Sequence, residues 1–230
     1  MPRSTTPLTF HEEVMLLALS RQTGAMKGGE WFEQVLGGAI LAEGFAQGRL
    51  GLVRERKKDL VVVQGTGPTG DALLDDLLAK IAASERRRRL NHWLSKVAGT
   101  RGLKQSIAER LQERGIIGLR EDTVLFLFTR KRYPELNPKP EEALRERLRA
   151  AIFDRGAAVT ERTVVLLSIL HHSDILKRIF GAREMKAQRK HVQGLIANSP
   201  VGSATAKVIE EMEAAMVAVI AASVVVVAAS

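Results

Sequence analysis

The 230-residue sequence predicts a mainly α protein: a single globular domain with a central helical bundle, surrounding helices and two small β-hairpins. Three observations carry that expectation. Apolar residues recur at helical spacing through most of the chain, with capping residues at the starts and glycines at several ends. Only two places show short apolar runs set around a charged turn. The composition, 45% hydrophobic and 27% charged with 4% aromatic, is that of a folded chain with an aliphatic core.

The elements follow in order. Residues 1–7 read as a flexible N-terminus ahead of one domain over 8–230. Thr9 and Glu12 form a capping-box pattern before Phe10, Val14 and Leu17, which share one helix face. A second helix runs from Glu30 to about Gln47, and Gly48 ends it. Leu50–Val53 and Leu60–Val63 flank the turn RERKKD as a hairpin. QGTGPTG at 64–70 is turn-rich, and Asp71 caps the helix of ALLDDLLAKIAA. Further helices fit Glu85–Val97, Leu103–Arg114, Pro140–Phe153, Glu161–His171, Ile175–Ile179, Arg183–Ile196 and Ala204–Ala229. Ile116–Leu119 and Val124–Phe128 make the second hairpin, around a turn at Arg120–Thr123. YPELNPKP at 133–140 interrupts the helical run with three of the seven prolines.

Chemistry is sparse. There is no cysteine, which excludes disulfides and thiolate metal sites and is compatible with a reducing cytoplasm. The N-terminal residues lack the continuous apolar stretch of a secretory signal. Ala214–Ser230 carries no charge over 17 residues, short for a spanning helix, and reads as a buried helix with a tail anchor as the alternative. QGTGPTGD lacks the Lys-Ser/Thr of a phosphate loop and reads as a turn with an Asp cap. Asp75 and Asp76 are neighbours that do not face one another. His171, His172 and Asp174 point in different directions at a helix junction and read as no metal site. No nucleophile, base and orienter assemble, so the chain reads as a non-enzyme with no cofactor.

The positive charge is concentrated. The formal net charge is +9, and Ser84–Gly115 holds nine Lys/Arg against three Asp/Glu. The arginines at 86–89 surround a predicted helix start and read as solvated surface. Arg101 and Lys104 open the next helix on one face, where exposed N–H groups add to their charge. Two readings of this anion site follow. A helix ending in ERG, followed by a hairpin, is the pattern of a winged helix-turn-helix on nucleic acid. Glu109 and Glu113 on that helix speak against base reading. The other reading sets the surface against anionic lipid.

The residues resemble the Golgi phosphoprotein 3 family. PTGDALLDDLL at 68–78 is similar to its PTGD-x-LLDE signature, and LTFHEEVMLLAL at 8–19 to its opening LTL-x-EEVLLL. EGFAQGRLGL at 43–52 is similar to its E-x-A-x-RGRL segment. RLQERGIIGLREDTVLFLF at 110–128 and LLSILHHSDIL at 166–176 extend the likeness in order. The resemblance implies a mainly α domain that binds phosphatidylinositol 4-phosphate as a peripheral membrane protein, without catalysis. It implies binding to cytoplasmic tails of membrane enzymes, and a hairpin used in membrane contact and as a homo-oligomer interface. The implied location is cytoplasmic and membrane-peripheral, at the cytosolic Golgi face in a eukaryote; nucleic acid is not an implied partner.

Carried over residue by residue, the family's lipid-headgroup site falls on Arg101 and Lys104. Its tryptophan and first arginine fall on Gly28 and Gly37, with Trp31 and Lys27 close by as substitutes. Lys104 brings a point charge where the family has a forked guanidinium. A general preference for anionic headgroups therefore follows more readily than stereospecific choice. The membrane or oligomer hairpin falls on Val124, Leu125, Phe126, Leu127 and Phe128. The resemblance also favours the buried helix over the tail anchor at the C-terminus.

Overall fold

A computed structural model describes residues 7–29, 31–124, 128–171, 173–197, 209–211, 213–218 and 221, with 122–124 and 128–130 described by backbone alone. The expected flexible segment therefore lies, except for Pro7, outside the described residues. Two helices make the centre. α1 (Phe10–Ala18) is buried along its whole length, and α2 (Phe32–Ala46) along most of it. α1 starts on the predicted capping box, with Thr9 N–H donating to Glu12 Oε2 at 2.8 Å.

The other helices pack around this pair: α3 (Ala72–Ala82), α4 (Leu90–Ala98), α5 (Leu103–Glu113), α6 (Lys139–Phe153), α7 (Glu161–His171), α8 (Ile175–Phe180) and α9 (Ala182–Ala197). α4 crosses α2 closely, and α5 and α6 lie against α1. The core is aliphatic as predicted, with Phe10, Phe32, Trp93, Tyr133 and Phe180 as the buried large rings among the described residues. Near the C-terminus, helical residues 209–211 and 213–218 bring Ile209, Ala215 and Met216 into that core. In the uncharged run, Ala215 and Met216 are buried while Ala214, Val217 and Ala218 are exposed, so the described part is buried on one side where burial was expected throughout; most of 219–230 lies outside the described residues.

The first hairpin has the predicted place. β1 (Leu50–Glu55) pairs antiparallel with β2 (Lys58–Val63), Glu55 opposite Lys58. Its two-residue turn is Arg56–Lys57, at φ 45° and 65°.

The second hairpin is displaced from the expectation. β3 (Arg120–Val124) pairs with β4 (Phe128–Arg132), so the residues expected to form the turn are strand. Of the apolar run Val124–Phe128, expected as a strand, Val124 and Phe128 face each other as the last described pair, and Leu125–Leu127 lie outside the described residues. Ile116 and Ile117, expected in the hairpin, are core residues instead. Their partners are in the proline-rich loop: Leu136 N–H donates to Ile116 O at 2.9 Å and Gly118 N–H to Pro134 O at 2.8 Å. The core claims these two isoleucines, which pushes the hairpin along the chain. Glu121 then stands opposite Lys131, and Asp122 opposite Arg130, an opposite-charge register.

Helix α4 starts later than the expected Glu85. The arginine run is not helical, because Arg88 lies beside β2 and its carbonyl accepts from Val61 N–H at 2.9 Å. A strand-edge N–H needs an acceptor, and the extended run supplies it.

Candidate functional site

The N-terminal end of α5 carries the two sequence-predicted cations. Gly102, at φ 75°, is the N-cap, a left-handed position that a glycine adopts freely. It brings no side chain, so no side-chain hydrogen bond caps the helix, and no acidic residue sits in the first turn. Arg101 is exposed just outside this end, and Lys104 is partly exposed within the first turn. Helix polarity and both charges favour an anion here. One carboxylate already approaches: Lys104 Nζ is ion-paired with Glu33 of α2.

That ion pair places the start of α2 beside the start of α5. Trp31 is the N-cap of α2, half-buried, two residues before Glu33. Lys27 is exposed in the loop before it, anchored by its N–H donating to Ala18 O at 2.8 Å. The structure thus joins Lys104 to the α2 start, with Trp31 at the cap; no direct contact ties Lys27 to either cation.

Gly28 and Gly37, where the resemblance led us to expect the tryptophan and first-arginine positions, are both buried and closely packed. A Cβ on Gly28 would run into the Phe32 ring. A Cβ on Gly37 would sit 3.2 Å from Ala98 N and Leu94 O, where α2 crosses α4. Neither position has room for a large side chain without displacing these neighbours.

The candidates set aside in the sequence behave as polar structure. Asp75 accepts from the Thr69 N–H and hydroxyl at 2.9 and 2.8 Å, while Asp76 pairs with Lys80 at 2.6 Å. Asp71 accepts from Leu73 and Leu74 N–H, as its capping role requires. Burial, then Arg189 and Lys177, lower the His171 pKa; His172 lies outside the described residues. Among the described residues no group of His, Asp and Glu could hold a metal ion.

A charged network under α1 was not legible in the sequence. His11 and Glu12 are fully buried and Glu13 nearly so. His11 Nε2 lies 2.9 Å from Asp71 Oδ2, and Arg114 donates to Glu12 Oε2 at 2.7 Å. Arg147 donates to Glu13 Oε1 at 3.0 Å. Arg162 donates to Leu8 O at 2.5 Å and lies 3.4 Å from Glu13 and Glu43, its guanidinium 4.0 Å from the Phe10 ring centroid. An open cleft of about 640 Å³ runs past this network, between Gln47, Gly70 and Arg110. Burial raises the Asp71 carboxyl, but His11, Arg110 and the Leu74 N–H outweigh it and hold it at about 2. Glu13 goes the other way: burial raises it above the ordinary carboxylate value despite Arg162 and Arg147. The pairing is balanced, and it ties α1 to α2, α3, α5, α6 and α7.

The fold defines a helix-rich class with two two-stranded sheets. Among the described residues no helix is long and apolar enough to cross a membrane. A family model described as Golgi phosphoprotein 3 (GPP34) matches residues 10–212. The chain belongs to that family. The match lends no support to the winged-helix reading, and Glu109 and Glu113 are exposed on α5.

Proposed function

We propose that this protein is a non-catalytic, membrane-peripheral adaptor in the cytoplasm that binds anionic phospholipid headgroups, phosphatidylinositol 4-phosphate by kinship. The observation that carries the reading is the uncapped, glycine-started end of α5 with Arg101 and Lys104 beside it. A phosphate there meets unpaired N–H groups, the positive end of the helix and two cations. Trp31 and Lys27 flank the site from the α2 side. Because Gly28 and Gly37 leave no room for the family's other two side chains, recognition rests on charge more than on ring stereochemistry. By kinship, the apolar run Val124 to Phe128 supplies a contact to the bilayer or to a second copy. Cytoplasmic tails of membrane proteins are the partners such an adaptor would hold.

Vesicle flotation tests this. The protein should float with phosphatidylcholine vesicles containing phosphatidylinositol 4-phosphate or phosphatidylserine, and not with phosphatidylcholine alone. Replacing Arg101 and Lys104 by Ala should weaken flotation. Indifference of the wild-type chain to both anionic vesicles overturns the proposal.

A further inference from the structure

The arginine run, read in the sequence as four side chains around a helix start, lies in the structure against the first hairpin. The Val61–Arg88 bridge sets it along β2, and Arg87 is ion-paired with Glu55 at the end of β1. The hairpin turn beside it presents Arg56, Lys57 and Lys58, all exposed, as are Arg86–Arg89. Of the acidic residues in these two segments, Glu55 is taken up by Arg87 and Asp59 by Arg54 at 2.7 Å. Glu85 alone remains to oppose them.

Helix α4 carries this charge onward. Its exposed positions are His92, Ser95 and Lys96, with Gly99 following, spacings that share one helix side. The nine residues of α4 span about 13 Å, and Arg101 stands exposed just past their end. The charges act on one another: burial, then Arg88 and Lys96, hold His92 below its ordinary imidazole value.

We propose that the β1–β2 turn, residues 86–89 and the exposed side of α4 form one continuous basic stripe that lies on an anionic lipid surface and delivers Arg101 to it. The stripe extends the membrane reading above and rests on it. A broad surface of this kind suits a bilayer, where basic residues add their attraction without individual fit. Nucleic acid suits it less. Trp93 of α4 is only 1% exposed, which leaves the small His92 ring, and no Trp, Tyr or Phe, on the exposed side of the helix for a base to stack on. Attraction through the stripe depends on surface charge density, so phosphatidylserine and phosphatidylglycerol should serve equally at equal charge.

The test compares three full-length proteins on phosphatidylcholine vesicles with and without 30% phosphatidylserine at several salt concentrations, the lipid fraction being about what gives strong surface charge. They are wild type, the quadruple variant R86Q/R87Q/R88Q/R89Q and the double variant R56Q/K57Q. These side chains are exposed, and the Arg88 backbone bridge survives substitution, so thermal unfolding should be nearly unchanged. The quadruple variant should bind at least about tenfold more weakly at low salt, and the double variant about fivefold, with shallower salt dependence in both. Equal binding by all three at equal folding overturns the stripe and leaves the Arg101 site standing. Absence of wild-type binding to any anionic vesicle overturns the membrane reading itself. Wild-type retention of random duplex DNA in preference to vesicles, lost in the quadruple variant, overturns lipid as the occupant.

Discussion

The Asp71 carboxylate serves two elements at once. Its Oδ1 caps α3 through Leu73 and Leu74, and its Oδ2 meets His11 inside the core. Its folded pKa, about 2 against an ordinary 3.8, makes it a source of stability that is present above pH 3.8 and lost as pH falls toward 2. The size is about 2 kcal/mol. Asn keeps the capping oxygen and removes the charge, so Asp71→Asn should cost about that much at pH 7 and little near pH 2. Urea unfolding of both proteins at the two pH values reads the difference; a gap of equal size at each sinks the assignment. Glu33 offers a second test at this scale. Its carboxylate competes with any phosphate for Lys104, so Glu33→Gln should strengthen binding to phosphatidylinositol 4-phosphate vesicles severalfold, roughly the worth of one surface charge. Unchanged or weaker binding would place the lipid elsewhere.

At the scale of elements, the two hairpins show what local pattern conveys and what it does not. The first was legible because apolar runs flank a charged turn of the right length. Its turn residues were not: Arg56 and Lys57 both take positive φ, the geometry of a tight hairpin turn that Asn-Gly adopts with less strain. Arg56→Asn with Lys57→Gly should therefore raise stability by about 1–2 kcal/mol, seen as a higher urea midpoint, while weakening anionic vesicle binding. A lower midpoint would mean these side chains hold the turn by contacts that outweigh their strain. The second hairpin was displaced because apolarity was read as strand, whereas the core took Ile116 and Ile117 and left polar residues to pair. Among its described residues, contacts are chiefly between its own strands, with Lys131 and Arg132 reaching Gln105 and Thr23. Changing Leu125, Phe126 and Leu127 to Ser should thus leave thermal unfolding unchanged and reduce vesicle binding or self-association. A fall in unfolding temperature would show the tip packed on the bundle instead.

Across the whole molecule, the aliphatic bundle was legible because the outer helices announce a buried side by spacing, Leu74, Leu77, Leu78 and Ile81 in α3 and Leu90, Trp93, Leu94 and Val97 in α4, while the central α1 is apolar enough to be buried throughout. The charged network was not, since its members are joined over long separations: Arg114 to Glu12 across 102 residues and Arg162 to Glu13 across 149. Locally, Glu12 and Glu13 read as ordinary first-turn acids, favoured by helix polarity; nothing nearby announces that they are buried. The close packing at Gly28 and Gly37 was hidden likewise, since the glycines reveal their neighbours only once α2 is set against α4 and Phe32 turns inward. Arg162 tests whether the network binds the bundle together. It reaches from α7 to Leu8, Glu13 and Glu43 while stacking on Phe10. Arg162→Met keeps much of the apolar stem but leaves two buried carboxylates short of a partner, a loss of about 3 kcal/mol. Burial already raises Glu13, so the variant should push it further, and stability relative to wild type should recover as pH falls toward 5. Adding Glu13→Gln to Arg162→Met should then cost less than the sum of the single changes. Urea unfolding of the four proteins closes this cycle, and strictly additive losses would show that the two side chains act independently.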